Sequence, residues 1–434
     1  MPTPRKLLGI CAATFVLSMA LLAVVLDRPT PGPEPAGSSQ ASGSGAARST
    51  RARIAVLERA ARERPQDAEV LVGLAAALLQ GVRETGDLGA YARADKALAE
   101  ALRRDPASAS AYTERGILRL ARHDFRGALS DGRRARRLAP GVVKPLGVIV
   151  DANVELGRYG DAGRTLQRMV DLKPNLDSYA RVAYYRELRG DLDGASLALG
   201  LAASAGGEAP ENVAYVQSLK GNVELAQGRT AQARRAFDAA LAKVPAFAAA
   251  QTGLARLDIA AGRLGPAIAR LRTVVERLPL AEYVVTLGET ELAAGRADAG
   301  RRTLELVRVQ QRLLGEARVN TDAELAIFEA DHGDPKRGVR LGRAAWANAP
   351  SVRSADALGW ALTRAGSARE GLRYARRALR LGSRDASFLY HAGMSARAAG
   401  RSAEAQRWLR DAVAANPGFS PLHARLARRA LEKL

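Results

Sequence analysis

Prolines recur along this chain at a spacing of 34 residues. Pro106, Pro140 and Pro174 form one series, and Pro245 and Pro279 another. Pro350 and Pro417 stand 67 apart, with Ser383 in the slot between them. Proline lacks an N–H and clashes with the preceding turn, so it ends helices. A fixed period of this length marks a stack of small supersecondary units, none of which buries its apolar face alone. Three intervals are longer. Pro65 to Pro106 spans 41 residues, and Pro174 to Pro245 and Pro279 to Pro350 each span 71. The surplus residues are expected as insertions near 81–87, 206–211 and 314–317.

Within the units, small residues repeat at fixed offsets. Gly116 is followed by Ala128, Ala135 and Pro140, Gly221 by Ala233, Ala240 and Pro245, and Gly393 by Ala405, Ala412 and Pro417. The offsets from glycine are 12, 19 and 24 in all three. Small residues at those places let two antiparallel helices approach closely. Turns such as 399–401, Ala-Gly-Arg, join them. Strand signals, meaning alternating β-branched or aromatic runs, are scarce.

These residues resemble the tetratricopeptide repeat family, whose small, aromatic and proline positions they match. The resemblance extends over about residues 67–420. It implies an all-α, right-handed superhelical solenoid of about ten antiparallel helix pairs. Units 109–142, 214–247 and 386–419 follow the pattern well. Units 176–213, 281–318 and 319–352 depart from it, the last placing Gly338 and Gly342 where alanine and a large residue are expected. The family lines a concave groove with the first helix of each unit. That implies Thr113, Asp151, Arg181, Tyr185, Tyr215, Asn222, Arg256, Glu289, Trp360 and Tyr390 as groove residues for a protein or peptide partner. The carboxylate-clamp subset of the family is not implied, because Thr113 and Ile117 occupy two of its groove positions.

Arg5 and Lys6 precede an uncharged run from Leu7 to Leu26. Twenty residues at about 1.5 Å each make about 30 Å of helix, the thickness of a bilayer's hydrocarbon core. Residues 1–6 then form a cytoplasmic flank and 7–26 a transmembrane anchor. The positive-inside rule sends the rest outward. The alternative is a signal peptide cleaved after Ala20, which would release the chain. The run continues to Leu26, and its length fits a span better than a signal. Residues 27–50 are dense in proline, glycine and serine and are expected as a disordered linker. An N-terminal helix is expected at 51–66, the array at 67–419 and a capping helix at 420–434.

The net charge is +21, and 58 of the 66 basic residues are arginine. Most of the excess lies beyond residue 50, so it belongs to the array and not to a tail. Arg133, Arg134, Arg136 and Arg137, and later Arg376, Arg377 and Arg380, fall late in second helices. They are expected on the convex face, as a solvated surface or as an attraction for anionic lipid or wall polymer. A nucleic-acid role is disfavoured, since the basic residues are interspersed with acids and lack interleaved aromatics.

Cys11 is the sole cysteine, which excludes intrachain disulfides and thiolate metal sites. His123, His332, His391 and His423 sit in different units, so no pair shares a helical turn as metal ligands would. No phosphate-binding loop, zinc-peptidase helix or nucleophile elbow is present. The sequence therefore reads as a non-catalytic scaffold without cofactor or metal. The alternatives are a basic adhesive module, or an accessory subunit of a membrane enzyme or secretion complex.

Overall fold

The computed structural model describes residues 42–206 and 210–434. The expected flank and anchor, residues 1–26, and the linker up to residue 41 lie outside the described residues. Among the described residues there are 22 helices and no strands, and no helix is long and apolar enough to cross a membrane.

A leading helix, α1 (Ser42–Glu63), is followed by ten antiparallel pairs. The first four are α2 (Ala68–Thr85) with α3 (Gly89–Arg104), α4 (Ala109–Ala121) with α5 (Phe125–Leu138), α6 (Lys144–Glu155) with α7 (Tyr159–Leu172), and α8 (Leu176–Glu187) with α9 (Leu192–Ala205). The next three are α10 (Pro210–Ala226) with α11 (Thr230–Lys243), α12 (Ala248–Ala260) with α13 (Leu264–Arg277), and α14 (Ala281–Ala293) with α15 (Ala297–Glu316). The last three are α16 (Asp322–His332) with α17 (Pro335–Asn348), α18 (Val352–Arg364) with α19 (Ala368–Ala378), and α20 (Ala386–Ala398) with α21 (Ser402–Ala415). The short α22 (His423–Leu431) closes the array, burying Ala424, Ala427 and Ala430 and turning Arg425, Arg428 and Arg429 outward.

Two of the surplus segments are not loops. They lengthen helices: α2 reaches 18 residues and α15 reaches 20. Gln, Arg, Leu and Glu dominate the end of α15, and Arg83 and Glu84 continue α2; these residues propagate a helix readily. Likewise α1 begins at Ser42, inside the stretch expected as linker, where Ala46, Ala47 and Arg48 favour helix.

Within each pair the turn commonly holds a glycine in the left-handed region, such as Gly157 at φ +70° and Gly400 at φ +72°. In the α4–α5 turn His123 takes that place at φ +60°. Several helix starts are capped by side chains: Asp124 accepts from the Gly127 N–H at 2.9 Å, and Asn175 and Ser351 form reciprocal capping boxes.

The small residues of the period serve close packing. The Phe237 ring, fully buried, lies between Gly221 of its own unit and Gly253 of the next. A Cβ at Gly253 would stand 2.2 Å from that ring. Gly338 and Gly342, which depart from the repeat pattern, have the same use. Cβ atoms there would come within 2.9 Å of the Ala326 carbonyl and the Leu358 Cα. These glycines let α17 press against α16 and α18.

The array also coils back onto itself. His123 Nδ1 meets the Asn320 carbonyl, 197 residues away, and the Asn320 N–H donates to the Arg122 carbonyl at 3.1 Å. Arg126 donates to the Ala347 carbonyl at 3.1 Å, and the Val352 N–H donates to the Tyr159 hydroxyl at 2.8 Å. Arg353 donates to the Tyr184 hydroxyl at 2.8 Å. These separations of 169 to 221 residues correspond to about six units. The turn after the sixth unit thus stacks on the first. The largest core cluster reflects this, since Val274, Tyr283, Leu314 and Val319 join residues of α2 to α7 in it.

At the seam, Arg353 enters a buried group containing Glu155, Tyr184 and Glu187. Burial pushes the carboxyls of Glu155 and Glu187 each up to about 7; Arg353 opposes the rise in both, while Asp385 adds to that of Glu187. Ionising them costs more in the folded chain than in the unfolded one. Their stabilising contribution is complete below about 4.5 and is lost as pH rises through about 7. Thermal stability is therefore expected to be higher at pH 5 than at pH 8, and Glu155→Gln should flatten that slope. An unchanged slope in the variant would contradict this account.

The glycine packing gives a paired expectation. Gly253→Ala should lower stability by about 1–3 kcal/mol through overpacking against Phe237. Gly200→Ala, in the interior of α9 with nothing within 4 Å of the new Cβ, should raise it by up to about 1 kcal/mol. Denaturant titration of both variants checks the sign of each.

Candidate binding cavity

A cavity of about 700 Å³ opens between the two turns of the array. One wall comes from α2 and the start of α8, the other from α10, α12, α13 and the start of α14. A volume of this order lies within the range of ligand sites. Its wall includes Arg83, Glu84, Asn212, Tyr215, Asn222, Thr252, Arg256, Arg270, Glu282 and Tyr283.

First helices of successive units supply most of these groups, because their inner faces point toward the coil's interior. Several polar atoms there are buried with no hydrogen-bond partner among the described residues: Glu84 Oε2, Asn212 Nδ2, Thr252 Oγ1 and Arg270 Nε, the last standing 4.0 Å from Asp258 Oδ2. Buried polar atoms in native structures are nearly always hydrogen-bonded, so four in one wall is unusual. Glu84 is held from one side, its Oε1 accepting from Thr50 at 3.0 Å and from Gln80 at 2.7 Å. Burial lowers Arg83 to about 10, against the pull of Glu84, so it is a cation at neutral pH. Burial raises Glu282 to about 7, opposed by Arg256, and raises the Tyr283 hydroxyl well above its ordinary value. The wall can thus offer cations, neutral donors and a carboxyl that takes a proton near neutrality.

Of the ten groove residues expected from sequence, Tyr215, Asn222 and Arg256 line this cavity. The others do not. Arg181 is fully buried and forms two hydrogen bonds to Asp151, at 2.9 and 2.8 Å, plus one to the Asp177 carbonyl. That bidentate pair ties α8 to α6 and is interior structure. Thr113 is buried and bonds back to the Ala109 carbonyl at 2.7 Å. Tyr185 donates to the Tyr159 carbonyl at 3.0 Å and lies under Arg189. Glu289 pairs with His332 at 3.0 Å. Trp360 and Tyr390, expected as exposed anchors, are 2% and 1% exposed and stack with His391 and His423. The sequence placed all of these on first helices; packing between neighbouring units, and of α22 on the last ones, covers Arg181, Trp360 and Tyr390.

The second-helix arginines are largely at the surface, and several have internal duties. Arg376 pairs with Glu404 at 2.7 Å, and that hydrogen bond holds the Glu404 carboxyl below its ordinary value. Arg377 covers the rings of Tyr374 and Trp346, Arg380 covers Tyr159 and Arg134 covers Tyr112. Arg136 is half-buried. Arg133 and Arg137 instead line a depression of about 320 Å³ with Arg126 and Arg158. None of these four forms an ion pair among the described residues. Sequence reasoning missed Arg126 and Arg158, which come from helix starts and not from a run of charge.

Family models for the tetratricopeptide repeat match residues 224–287 and 357–418. The chain carries tetratricopeptide repeats and is a repeat scaffold of that type. No curated protein matches it. Among solved structures it is similar to a human IFIT1 dimer with PPP-AAAA, at 17% identity over 73% of each chain and a TM-score of 0.47. It is similar to PilW, a widely conserved type IV pilus biogenesis factor, at 18% identity over 46% of this chain and 92% of that one, with a TM-score of 0.40. It is also similar to YrrB, a tetratricopeptide-repeat protein with an unusual peptide-binding site, at 21% identity over 45% and 95%, with a TM-score of 0.29. At such identities the likeness concerns the helical-repeat fold alone.

Proposed function

We propose that this protein is a membrane-tethered, non-catalytic scaffold that takes a short peptide segment of a partner protein into the cavity between its turns. The carrying observation is the wall itself: Tyr215, Asn222 and Arg256 line it together with buried polar atoms of Glu84, Asn212 and Thr252 that have no hydrogen-bond partner among the described residues. A peptide supplies backbone donors and acceptors suited to such atoms. Tyrosine and arginine are common anchors at interfaces. The uncharged run Leu7–Leu26 supports the tether, and Arg5 and Lys6 support a cytoplasmic N-terminus with the repeats outside.

A benzophenone amino acid placed at position 222 tests this in carbonate-washed membranes. The expected result is that the chain stays in the pellet and crosslinks to a discrete partner. Tyr215→Ala and Arg256→Ala should each reduce that yield about thirtyfold, while the probe at position 197, where Leu197 is 64% exposed, should give none. Equal yields at 222 and 197 would overturn the cavity assignment, and a soluble chain starting near Leu21 would overturn the tether.

A second reading rests on Arg126, Arg133, Arg137 and Arg158, which share one depression without ion-pair partners among the described residues. They suit an anionic lipid or wall polymer. Vesicle binding that needs anionic lipid, falls steeply between low and high salt, and is lost in Arg133→Glu/Arg137→Glu would support it. Salt-insensitive binding would rule it out.

A further inference from the structure

Two of the four histidines meet an aspartate at the end of the array. His391 of α20 and His423 at the start of α22 face Asp331 near the end of α16, and one ligand atom of each lies within 4.8 Å of the others. We propose that Asp331, His391 and His423 bind a divalent transition-metal ion, with zinc the ion their donors fit best.

The orientation of the donors carries the argument. His391 Nδ1 lies 2.9 and 3.0 Å from the two oxygens of Asp356, which is 1% exposed. Asp356 therefore holds the Nδ1 proton and leaves the lone pair on Nε2. A carboxylate fixing the tautomer of a ligating imidazole is the usual outer shell of such sites. Trp360 donates from Nε1 to Asp331 Oδ1 at 2.9 Å, which fixes that carboxylate and leaves the second lone pair of Oδ1 facing His423. The rings are clamped as well: Trp360 stacks on His391 with centroids 4.5 Å apart, and Tyr390 on His423 at 4.7 Å.

His423 Nε2 stands 3.5 Å from Asp331 Oδ1. That is long for a charge-assisted hydrogen bond. It is close to the separation of about 3.4 Å between two donors held about 2.0–2.1 Å from a tetrahedral ion. Two neutral imidazoles and one carboxylate, without thiolate, form a donor set suited to zinc with a fourth position left for water. The nearest cation, Arg364, lies over the Trp360 ring with its Nε committed to the Ala330 carbonyl. The ion would join three helices from distinct parts of the last units and pin α22 to the array.

The spacing of these residues hid the site from the sequence. Sixty residues separate Asp331 from His391, and although no two histidines share a helical turn, His391 and His423 meet in space.

Tag-free full-length protein, stripped with chelator, is titrated with zinc chloride and with cobalt(II) chloride. The expected result is one ion per chain, with cobalt giving the intense visible bands of four-coordination. His423→Gln and Asp331→Asn should weaken zinc binding at least about 100-fold, and Asp356→Asn about 10–100-fold. Helicity of each variant is checked first by circular dichroism. In the unmodified protein, zinc should move the imidazole NMR signals of His391 and His423 and leave those of His123 unchanged, a readout that needs no variant. Absence of stoichiometric binding, or imidazole signals of His391 and His423 unmoved by saturating zinc, would overturn the site and leave a plain hydrogen-bonded stack.

Discussion

Everything else in this molecule depends on the seam where one turn of the coil rests on the next. A helical-repeat array ordinarily contacts only its nearest neighbours, and its curvature stays open. Here the Asn320, Val352 and Arg353 backbone and side-chain groups reach back to Arg122, Tyr159 and Tyr184. Backbone hydrogen bonds at those points are directional, so they fix the phase of the coil as well as its diameter. The packing of Leu280, Tyr283 and Leu314 into the core of α2 to α7 then excludes water from the junction.

That closure explains why polar chemistry lies inside the coil. First helices carry Asp151, Arg181, Glu155 and Glu282 on faces that would be wet in an open array. Once covered, each charge needs a partner or a proton. Asp151 and Arg181 solve this by bidentate pairing. Glu155 and Glu282 solve it by holding protons more tightly. Around the cavity Glu84 Oε2 and Thr252 Oγ1 are left without a hydrogen-bond partner among the described residues.

The fold was legible because its signals are local. A proline every 34 residues and small residues at offsets of 12 and 19 act within one unit, and the pairs appear where the period places them. The coil's return onto itself was not legible, because it accumulates from small rotations across about six units. Tyr215, Asn222 and Arg256 line the cavity, whereas Trp360 and Tyr390, chosen by the same rule, are packed between neighbouring units and α22. Gly338 and Gly342 looked like decay of the pattern, yet they permit the tightest helix approaches in their unit. The meeting of Asp331, His391 and His423 had no linear signature at all.

The turn-on-turn hydrogen bonds also constrain how this gene can change. Repeat arrays commonly grow and shrink by duplicating or deleting a unit, since each copy sees only its neighbours. In this chain deletion of a unit between residues 184 and 320 would bring a different unit opposite Arg122. The Tyr159–Val352 and Tyr184–Arg353 pairs would lose their register at the same time. Unit number within one turn is therefore a geometric constraint in its own right, whereas loop length and the ends of the array can change without disturbing the seam.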